Sequence, residues 1–554
     1  MCGLCGLFSP DAGGVSGAGA SIRRMTRELE RRGPDDEAFW VDPEARLRLG
    51  FRRLAILDLS PSGRQPMVSS SGDSVLVMNG EIYNFRELRR ELEAGGLRFR
   101  STSDTEVALE ALELWGLDAL GRLEGMFALA FYDLRRRRLT LSRDRTGIKP
   151  LWLFEGPAGV AFSSQLDALI HGPWPVDAEP RPDVLHHYLR LGHIPAPLGL
   201  LPGTRQLEAG GWRRFDADGR RETGRFWRLP RMSEGALGAE EGVEALDAAL
   251  ERAVARHRLA DVPLGVFLSG GVDSPLVGAV ARRQTSSELL AFTLGNPGWG
   301  QDEEAAARRF AGQLDLDHRV LRLDDSAATA GVDQMKASMH EPFADFSLLP
   351  TLLLSGFARE RVTVALSGDG GDELFFGYER PRSLLRDGGF FRRSLGVRRL
   401  AWGLGRVGER LGLGRRRSDA ILFPSMGDYY HSVNSRLDAP ALARLAPDLP
   451  PPSPPPFYES GPWQDAGPGD PRRQADFSRW AEFHGQLQRC LKKVDLASMH
   501  HSLEVRVPLL DTEILDLSLR IDPMAHMAGG ERKHVLRRAL GRRLPGAEQQ
   551  SVKR

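Results

Sequence analysis

The sequence predicts two folded units of different class. The first is an amino-terminal α+β domain, an antiparallel sheet sandwich flanked by helices; the second is an α/β domain with a mostly parallel sheet. Three observations carry this. A length of 554 residues exceeds what one hydrophobic core normally organises. Short apolar or alternating stretches separated by turns fill the chain to about residue 215, whereas from about 241 apolar strands alternate with helical patterns. Between them lies a polar, turn-rich stretch holding Gly219, Gly224, Pro230 and Gly235. The expected division is residues 2–215, a linker over 216–240, and a second domain over 241–554.

In the first domain the strand candidates are LRLGFRRLAILD, SVLVMNGEIY, GMFALAFYD, RRLTLSRD and GVAFSS, with helical spacing at 84–94 and 105–116. Many short strands and few long helices favour antiparallel sheets packed face to face. In the second domain EGVEALDAALERAVARHRL has helix spacing, PLGVFLSGG is an apolar strand running into glycines, and PLVGAVARR is helical. ELLAFTLG and the helix in EEAAARRFAGQL repeat the alternation, and VTVALSGDGGDE repeats the strand-to-glycine pattern. The proline-, glycine- and serine-rich segment 448–475 reads as an irregular excursion.

Composition excludes several classes of function. With 75 Lys+Arg against 74 Asp+Glu, the net charge of +1 supplies no global attraction for nucleic acid. The run Arg135 to Arg138 lies between two strand candidates and reads as a solvated connection. Three cysteines, Cys2, Cys5 and Cys490, make no disulfide framework, and the odd number suits a reducing compartment. Cys2 and Cys5 have the spacing of a metal pair, but no second pair of nearby ligands completes a four-coordinate site. No apolar run is long enough to cross a bilayer, and the amino terminus lacks a secretory apolar stretch. The expectation is a cytoplasmic protein without membrane or nucleic-acid partners.

The sequence opens Met1-Cys2-Gly3. Removing the methionine would leave a thiol and a primary amine on one residue, a nucleophile beside a base whose reference pKa is about 8. The plainer alternative is a small residue that merely permits methionine removal. Asn79-Gly80-Glu81-Ile82-Tyr83-Asn84 follows the strand SVLVM, and an asparagine amide with a glycine N–H can make an oxyanion hole. Arg53 is suited to gripping a carboxylate through two parallel bonds, or is a surface charge. Asp104 either holds a substrate ammonium or caps the helix that follows it.

Together with Arg31-Arg32-Gly33-Pro34-Asp35, Arg53-Leu54-Ala55-Ile56, Gln65-Pro66 and Ser103-Asp104-Thr105-Glu106, these residues closely resemble the glutaminase domain of asparagine synthetases, amidotransferases with an amino-terminal nucleophile. The resemblance implies that Cys2 attacks the side-chain amide of glutamine, giving a thioester and ammonia. It implies that Asn79 and Gly80 form the oxyanion hole, that Arg53 binds the glutamine carboxylate, and that Glu81 and Asp104 place its amino group. Two departures are mild: Arg31 stands for a usual histidine, and Cys5 for a commonly apolar residue.

Leu268-Ser269-Gly270-Gly271-Val272-Asp273-Ser274 is delivered by the strand VFL and followed by a helix starting near Ser274 and Pro275. Glycines let the backbone turn around phosphate oxygens, the helix amino terminus adds N–H groups and a favourable dipole, and proline is tolerated in the first turn. Asp273 can recruit magnesium. The segment lacks the lysine of GxxxxGK[ST] and resembles the pyrophosphate loop of ATP pyrophosphatases, which cleave between the α- and β-phosphates. Ser367-Gly368-Asp369-Gly370-Gly371-Asp372-Glu373-Leu374-Phe375 again follows a strand, and its acids suit magnesium or a cationic amine.

This half also resembles the asparagine synthetase family, through Asp302-Glu303, His340-Glu341-Pro342, Asp345, Ser347, SGDGGDELFFGY, Leu491-Lys492-Lys493-Val494-Asp495, Ser502-Leu503-Glu504-Val505-Arg506-Val507-Pro508 and Lys533-His534-Val535-Leu536-Arg537. The resemblance implies that Leu268, Ser269, Gly270, Gly271, Asp273, Ser274, Ser367 and Gly368 bind ATP and its pyrophosphate, with Mg2+ on Asp273 and Asp372. Lys533 would neutralise charge on the adenylate and departing phosphate. Asp369 would stand near the acceptor or the incoming nitrogen. The expected reaction joins the halves: ammonia from glutamine amidates an ATP-activated carboxylate, with aspartate the leading acceptor and natural-product, amino-sugar or peptide carboxylates the alternatives. The resemblance also admits a homodimer and an internal ammonia passage.

Pro275, Leu496 and His500 depart from the family pattern, and RRLPGAEQQSVKR replaces its basic, glycine- and aromatic-containing continuation. A degenerate scaffold is the alternative of another class, and intact Cys2, NGE, SGGVDS and GDGGDE count against it. A glutamine-independent lactam former is disfavoured by the intact glutaminase residues.

Overall fold

The computed structural model describes all residues except 1, 157, 175, 232–235, 296–302, 411–421, 424, 438, 451–468 and 548–554. Gly235, Asp302, most of the segment 448–475 and the last residues of the terminal run therefore lie outside the described residues.

The first domain is the expected sandwich. One six-stranded sheet runs in the order Thr204–Gln206, Trp152–Gly156, Gly159–Ser163, Gly3–Phe8, Leu47–Arg53, Asp36–Val41. The other runs Arg221–Arg225, Gly211–Asp216, Arg138–Arg143, Gly125–Asp133, Ser74–Ile82, Met67–Val68. Every described pairing in both is antiparallel. The strand Ser74–Ile82 explains why alternation is weak in the sequence. Val75 and Val77 enter the core between the sheets with Leu4, Phe51 and Leu141, whereas Leu76 and Met78 turn outward against the helices Phe85–Ala94 and Asp104–Trp115. Both faces are covered, so both sets of alternating positions are apolar. The helix Ala18–Glu28 closes the other side through Ile22 and Met25.

The second sheet continues into Arg221–Arg225, within the stretch read as a linker, because those residues pair with Gly211–Asp216. In the Arg135–Arg138 connection each arginine meets an acid: Asp73, Asp133, Glu44 and Asp216 in turn.

The second domain holds a parallel five-stranded sheet in the order Asp317–Arg322, Leu290–Gly295, Leu264–Phe267, Val364–Leu366, Glu504–Arg506. From Leu264–Phe267 the chain builds outward to one side, then returns to add Val364–Leu366 on the other. That reversal leaves a crevice beyond the carboxyl ends of the two central strands, the usual place for a ligand in an open parallel sheet. The loops emerging there are Leu268–Ser274 and Ser367–Asp372.

The domains meet through core rather than through surface. Tyr83, Met126 and Ile148 of the first share one apolar cluster with Leu246, Leu276 and Leu510 of the second, and Leu54 and Ile56 pack on Val364. Among the described residues, no helix is long and apolar enough to cross a membrane.

Candidate active sites

Cys2 immediately precedes Gly3–Phe8, an inner strand of the first sheet, and is buried. Its backbone nitrogen donates to Asn79 Oδ1 at 3.0 Å, and its Sγ lies 3.8 Å from the carbonyl oxygen of Leu54. That bond fixes the Asn79 amide: the oxygen is engaged, while Nδ2 is buried with no hydrogen-bond partner among the described residues. A buried unpaired donor is costly unless a ligand satisfies it. Gly80 follows with φ of 155°, and a Cβ there would stand 2.0 Å from the Met126 carbonyl oxygen. Only glycine lets the backbone pass so close to the neighbouring strand.

Three candidate recognition groups surround this corner. Arg53 is buried rather than a surface charge, and donates to the carbonyl oxygens of Ser60 at 3.1 Å and Asp58 at 2.5 Å. Those bonds hold the fork while leaving further donors for a carboxylate. Asp104 does not cap its helix; Ser103 Oγ does, accepting from Thr105 N at 3.1 Å. Asp104 instead accepts from Ile82 N at 2.7 Å, beside Glu81. Burial pushes the Asp104 carboxyl up to about 6. Burial, with Glu504 and Asp104 nearby, raises Glu81 strongly. Two crowded carboxylates are suited to an arriving cation. Cys5 lies elsewhere, 3.2 Å from Thr26 Oγ1, its thiol pushed up to about 12 by burial.

The second centre lies in the crevice of the parallel sheet, a cleft of about 920 Å³. Ser269 Oγ lies 3.0 Å from Ser274 Oγ, which accepts from Ser269 N at 2.8 Å, and Gly271 N donates to Ser269 Oγ at 3.2 Å. The loop is thus folded on itself at the start of the helix Asp273–Arg283. The second glycine loop packs directly on it: a Cβ on Gly368 would lie 2.6 Å from Ser274 N, and one on Gly371 2.7 Å from the Asp273 carboxylate. Lys533 bridges Asp273 at 2.5 Å and Asp372 at 2.6 Å; burial opposes its charge, but the two carboxylates outweigh burial and raise its pKa above that of a free lysine. Lys533 is buried, with φ of 55°, and so is no ordinary surface lysine. Ser367 Oγ bonds Asp369, whose other oxygen lies 3.5 Å from Lys493 Nζ. Leu268 is buried beneath the loop.

Comparisons with known proteins identify the family of each domain. Residues 1–227 match the family described as glutamine amidotransferase domain, and residues 245–553 match the asparagine synthase family. The chain belongs to the asparagine synthase family. It is 33% identical, over 98% of its length and 85% of the relative's, to a putative asparagine synthetase (glutamine-hydrolyzing) of Mycobacterium tuberculosis. It is 29% identical, over 97% of its length and 84% of the relative's, to asparagine synthetase (glutamine-hydrolyzing) 1 of Bacillus subtilis. An amidase, chry2, of Gibberella zeae is 27% identical over 69% of this chain and 60% of its own. As a family member with both domains, the protein is a glutamine- and ATP-dependent amidating enzyme.

Several residues to which motif reading gave no role tie the two domains together. Arg506, fully buried, lies 2.6 Å from Glu504 and 3.5 Å from Glu81, so the last strand of the parallel sheet touches the candidate glutamine pocket. Burial opposes ionisation of Glu504, but neighbouring positive charges overcome it and hold its pKa at about 2. Charges alternating through the apolar stretch EVRV were the available signal. Arg32 donates through Nε to the Cys2 carbonyl at 3.3 Å and through both terminal nitrogens to Asp495 at 2.8 and 2.9 Å. Asp495 and Lys493 share the helix Gln486–Met499. The departures Arg31 and His500 meet across the same seam, Nη1 to Nε2 at 2.5 Å.

The turn Arg190–Ile194 also crosses the seam. Its carbonyls accept from Arg436 N at 2.6 Å, Ala344 N at 2.8 Å, Lys492 Nζ at 3.1 Å and Arg489 Nη1 at 3.5 Å. A cavity of about 30 Å³ lies at the junction, lined by Ile148 and Trp152 on one side and by Glu341, Lys492 and Asp495 on the other.

Proposed function

We propose that this enzyme converts aspartate to asparagine, moving nitrogen from glutamine through two centres. The observation that carries the reading is the orphaned Asn79 Nδ2 beside Cys2, in the same molecule as the Asp273–Lys533–Asp372 cluster. One supplies a reason to release ammonia and the other a reason to spend ATP.

In the first centre Cys2 Sγ attacks the amide carbon of glutamine. The Cys2 nitrogen, an amine once the methionine is removed, takes the thiol proton. Asn79 Nδ2 and the Gly80 N–H stabilise the oxyanion, the C–N bond breaks to release ammonia, and water hydrolyses the thioester. Arg53 holds the substrate carboxylate, with Glu81 and Asp104 on its ammonium.

In the second centre the acceptor carboxylate attacks the α-phosphorus of ATP, and the bond to the β-phosphate breaks. Ser269, Gly270, Gly271 and Ser274 cradle the departing pyrophosphate, with Leu268, Ser367 and Gly368 shaping the nucleotide site. Ammonia then attacks the acyl carbon, AMP leaves, and Asp369 is placed to accept the proton. Lys533 balances the negative charge of the adenylate and pyrophosphate. Asp273 and Asp372 converge on one cation already, and two carboxylates beside phosphates suit Mg2+, which when bound neutralises phosphate charge. The cavity at the junction, roomy enough for one small molecule, supports passage of ammonia between the centres.

The cleft of about 920 Å³ keeps a second reading alive, amidation of a larger carboxylate in specialised metabolism. The experiment uses glutamine labelled at its amide nitrogen, ATP and a panel of carboxylates, with products read by mass. Label in asparagine with matching AMP and pyrophosphate supports the aspartate reading. Label only in another carboxylate overturns it while leaving the amidotransferase mechanism intact. Cys2→Ala should abolish glutamine use and spare amidation with added ammonia; loss of both would break the division of roles.

A further inference from the structure

One helix of the second domain, Leu395–Arg410, leaves an apolar ridge and a row of cations uncovered. It exposes Val397, Leu400, Leu404 and Val407 by 46%, 65%, 65% and 54%. These are four of the twelve large apolar side chains exposed among the described residues. Their spacing of three, four and three puts them in one line along the helix, about 15 Å long at 1.5 Å per residue. Single exposed apolar residues are ordinary, whereas a contiguous line of them marks a contact surface.

Another face fixes the helix to the body of the domain. Arg398 is buried, donates to the carbonyl oxygens of Arg393 at 3.1 Å and Phe423 at 2.6 Å, and lies over the Phe391 ring. The ridge cannot turn inward without breaking that anchor. Beside the ridge stand Gly396 and Gly403, where an added Cβ would meet no atom within 4 Å.

The charge of this stretch is as uneven as its polarity. From Arg392 to Arg410 the chain carries six arginines against one acid, Glu409, a net +5 in a protein whose total is +1. Arg399, Arg406 and Arg410 recur at i, i+7 and i+11, on the face beyond the two glycines. The connection Arg135–Arg138 gives the contrast, since each of its arginines meets an acid of this chain. Arg393 and Arg399 are exposed and make no ion pair among the described residues.

We propose that this helix docks the enzyme on an anionic lipid surface, with the apolar ridge in the acyl boundary and the arginines on lipid phosphates. Shape favours a bilayer over a protein. Peptide partners are held in grooves or along sheet edges, and here the apolar residues form a convex ridge beside open space. A fluid, planar surface takes such a ridge without a matching contour. Charge opposes a second copy of the same helix, and a nucleic acid would satisfy the arginines while leaving the ridge wet. No described helix can span a bilayer, but a helix lying on its surface needs no spanning run. The inference stands apart from the amidation reading.

The test floats the full-length protein with vesicles of phosphatidylcholine alone or with about one third phosphatidylglycerol. Binding to the anionic vesicles should be at least about tenfold tighter than to the neutral ones, and should weaken as salt rises from about 0.1 to 0.5 M. Leu400→Glu combined with Leu404→Glu should lower the affinity at least about tenfold, and Arg399→Glu should lower it about threefold. Leu400→Ala with Leu404→Ala, which suits a helix better, should give a smaller loss of the same sign. Because these leucines are exposed, circular dichroism and the thermal midpoint should be unchanged. Absence of binding, equal binding to both vesicles, or binding that the leucine changes leave intact would overturn the inference. Poly-glutamate is the soluble probe: if it binds through this helix and the vesicles do not, the partner is an acidic protein and the lipid assignment falls.

Discussion

Arg32 joins the nucleophile to the other half of the molecule: one guanidinium holds the carbonyl of Cys2 and both carboxylate oxygens of Asp495. Arg32 is 1% exposed, so removing its partner strands a charge in the interior. Asp495→Asn should destabilise the protein by about 3–5 kcal/mol in chemical denaturation. Glutamine-dependent amidation should fall further than ammonia-dependent amidation. Equal losses in the two activities would remove Arg32–Asp495 as a link specific to Cys2.

Gly80 tests the oxyanion corner. A methyl group there would meet the Met126 carbonyl at 2.0 Å, and φ of 155° is strained for any other residue. Gly80→Ala should cut glutamine hydrolysis at least 100-fold, as loss of an oxyanion donor does. Ammonia-dependent amidation should stay within about threefold, measured on folded protein matched by circular dichroism.

Asp104 sets an acid limit on glutamine use. Its folded pKa of about 6 lies above the ordinary carboxylate value, so its ionised form dominates only above that pH. The kcat/KM for glutamine should drop as pH falls through about 6, and kcat should drop at lower pH because a bound ammonium favours the ionised form. Asp104→Asn should bind glutamine weakly with a flat acid limb. The sign for stability is opposite: between about 6 and 4 the folded state takes the proton before the unfolded one, so this group adds stability as pH falls.

Gly377 guards the ATP centre. A Cβ at that position would lie 1.9 Å from Asp372 Oδ1 and 2.2 Å from Lys533 Cε. Gly377→Ala should reduce AMP formation more than 100-fold while glutamine hydrolysis persists. Unchanged AMP formation would show that the Lys533–Asp372 contact is dispensable.

Arg31 and His500 test compensation between departures. Burial and Arg31 push His500 down to about 4, keeping its ring a neutral acceptor at physiological pH. A double-mutant cycle of Arg31→Ala and His500→Ala should give a coupling of about 0.5–1.5 kcal/mol that fades as the pH approaches 4. Additive losses would make the contact incidental.

The fold was readable because period and punctuation change along the chain: short apolar strands and turns, then strand, glycine and helix in repetition. Both glycine loops were legible for the same reason, since each follows an apolar strand that ends at the crevice. Arg53 and Asp104 were ambiguous because a grip and a surface charge, or an ammonium ligand and a cap, require the same residue type. Burial removes the surface-charge reading of Arg53, and the Ser103 cap removes the capping reading of Asp104. The reach of Arg506 to Glu81 and of Arg32 to Asp495 could not be assigned from pattern, because those partners lie hundreds of residues away and depend on how the two domains meet.

The turn at Arg190–Ile194 has a consequence for inheritance. It presents carbonyls to Arg436, Ala344, Lys492 and Arg489, and two of those residues, Arg436 and Arg489, line the cleft of the other domain. A chimera that took its amino-terminal half from one relative and its carboxy-terminal half from another would have to re-match this seam before either half could work. Recombination between such genes is therefore steered toward exchanging the turn together with the segments that hang on it.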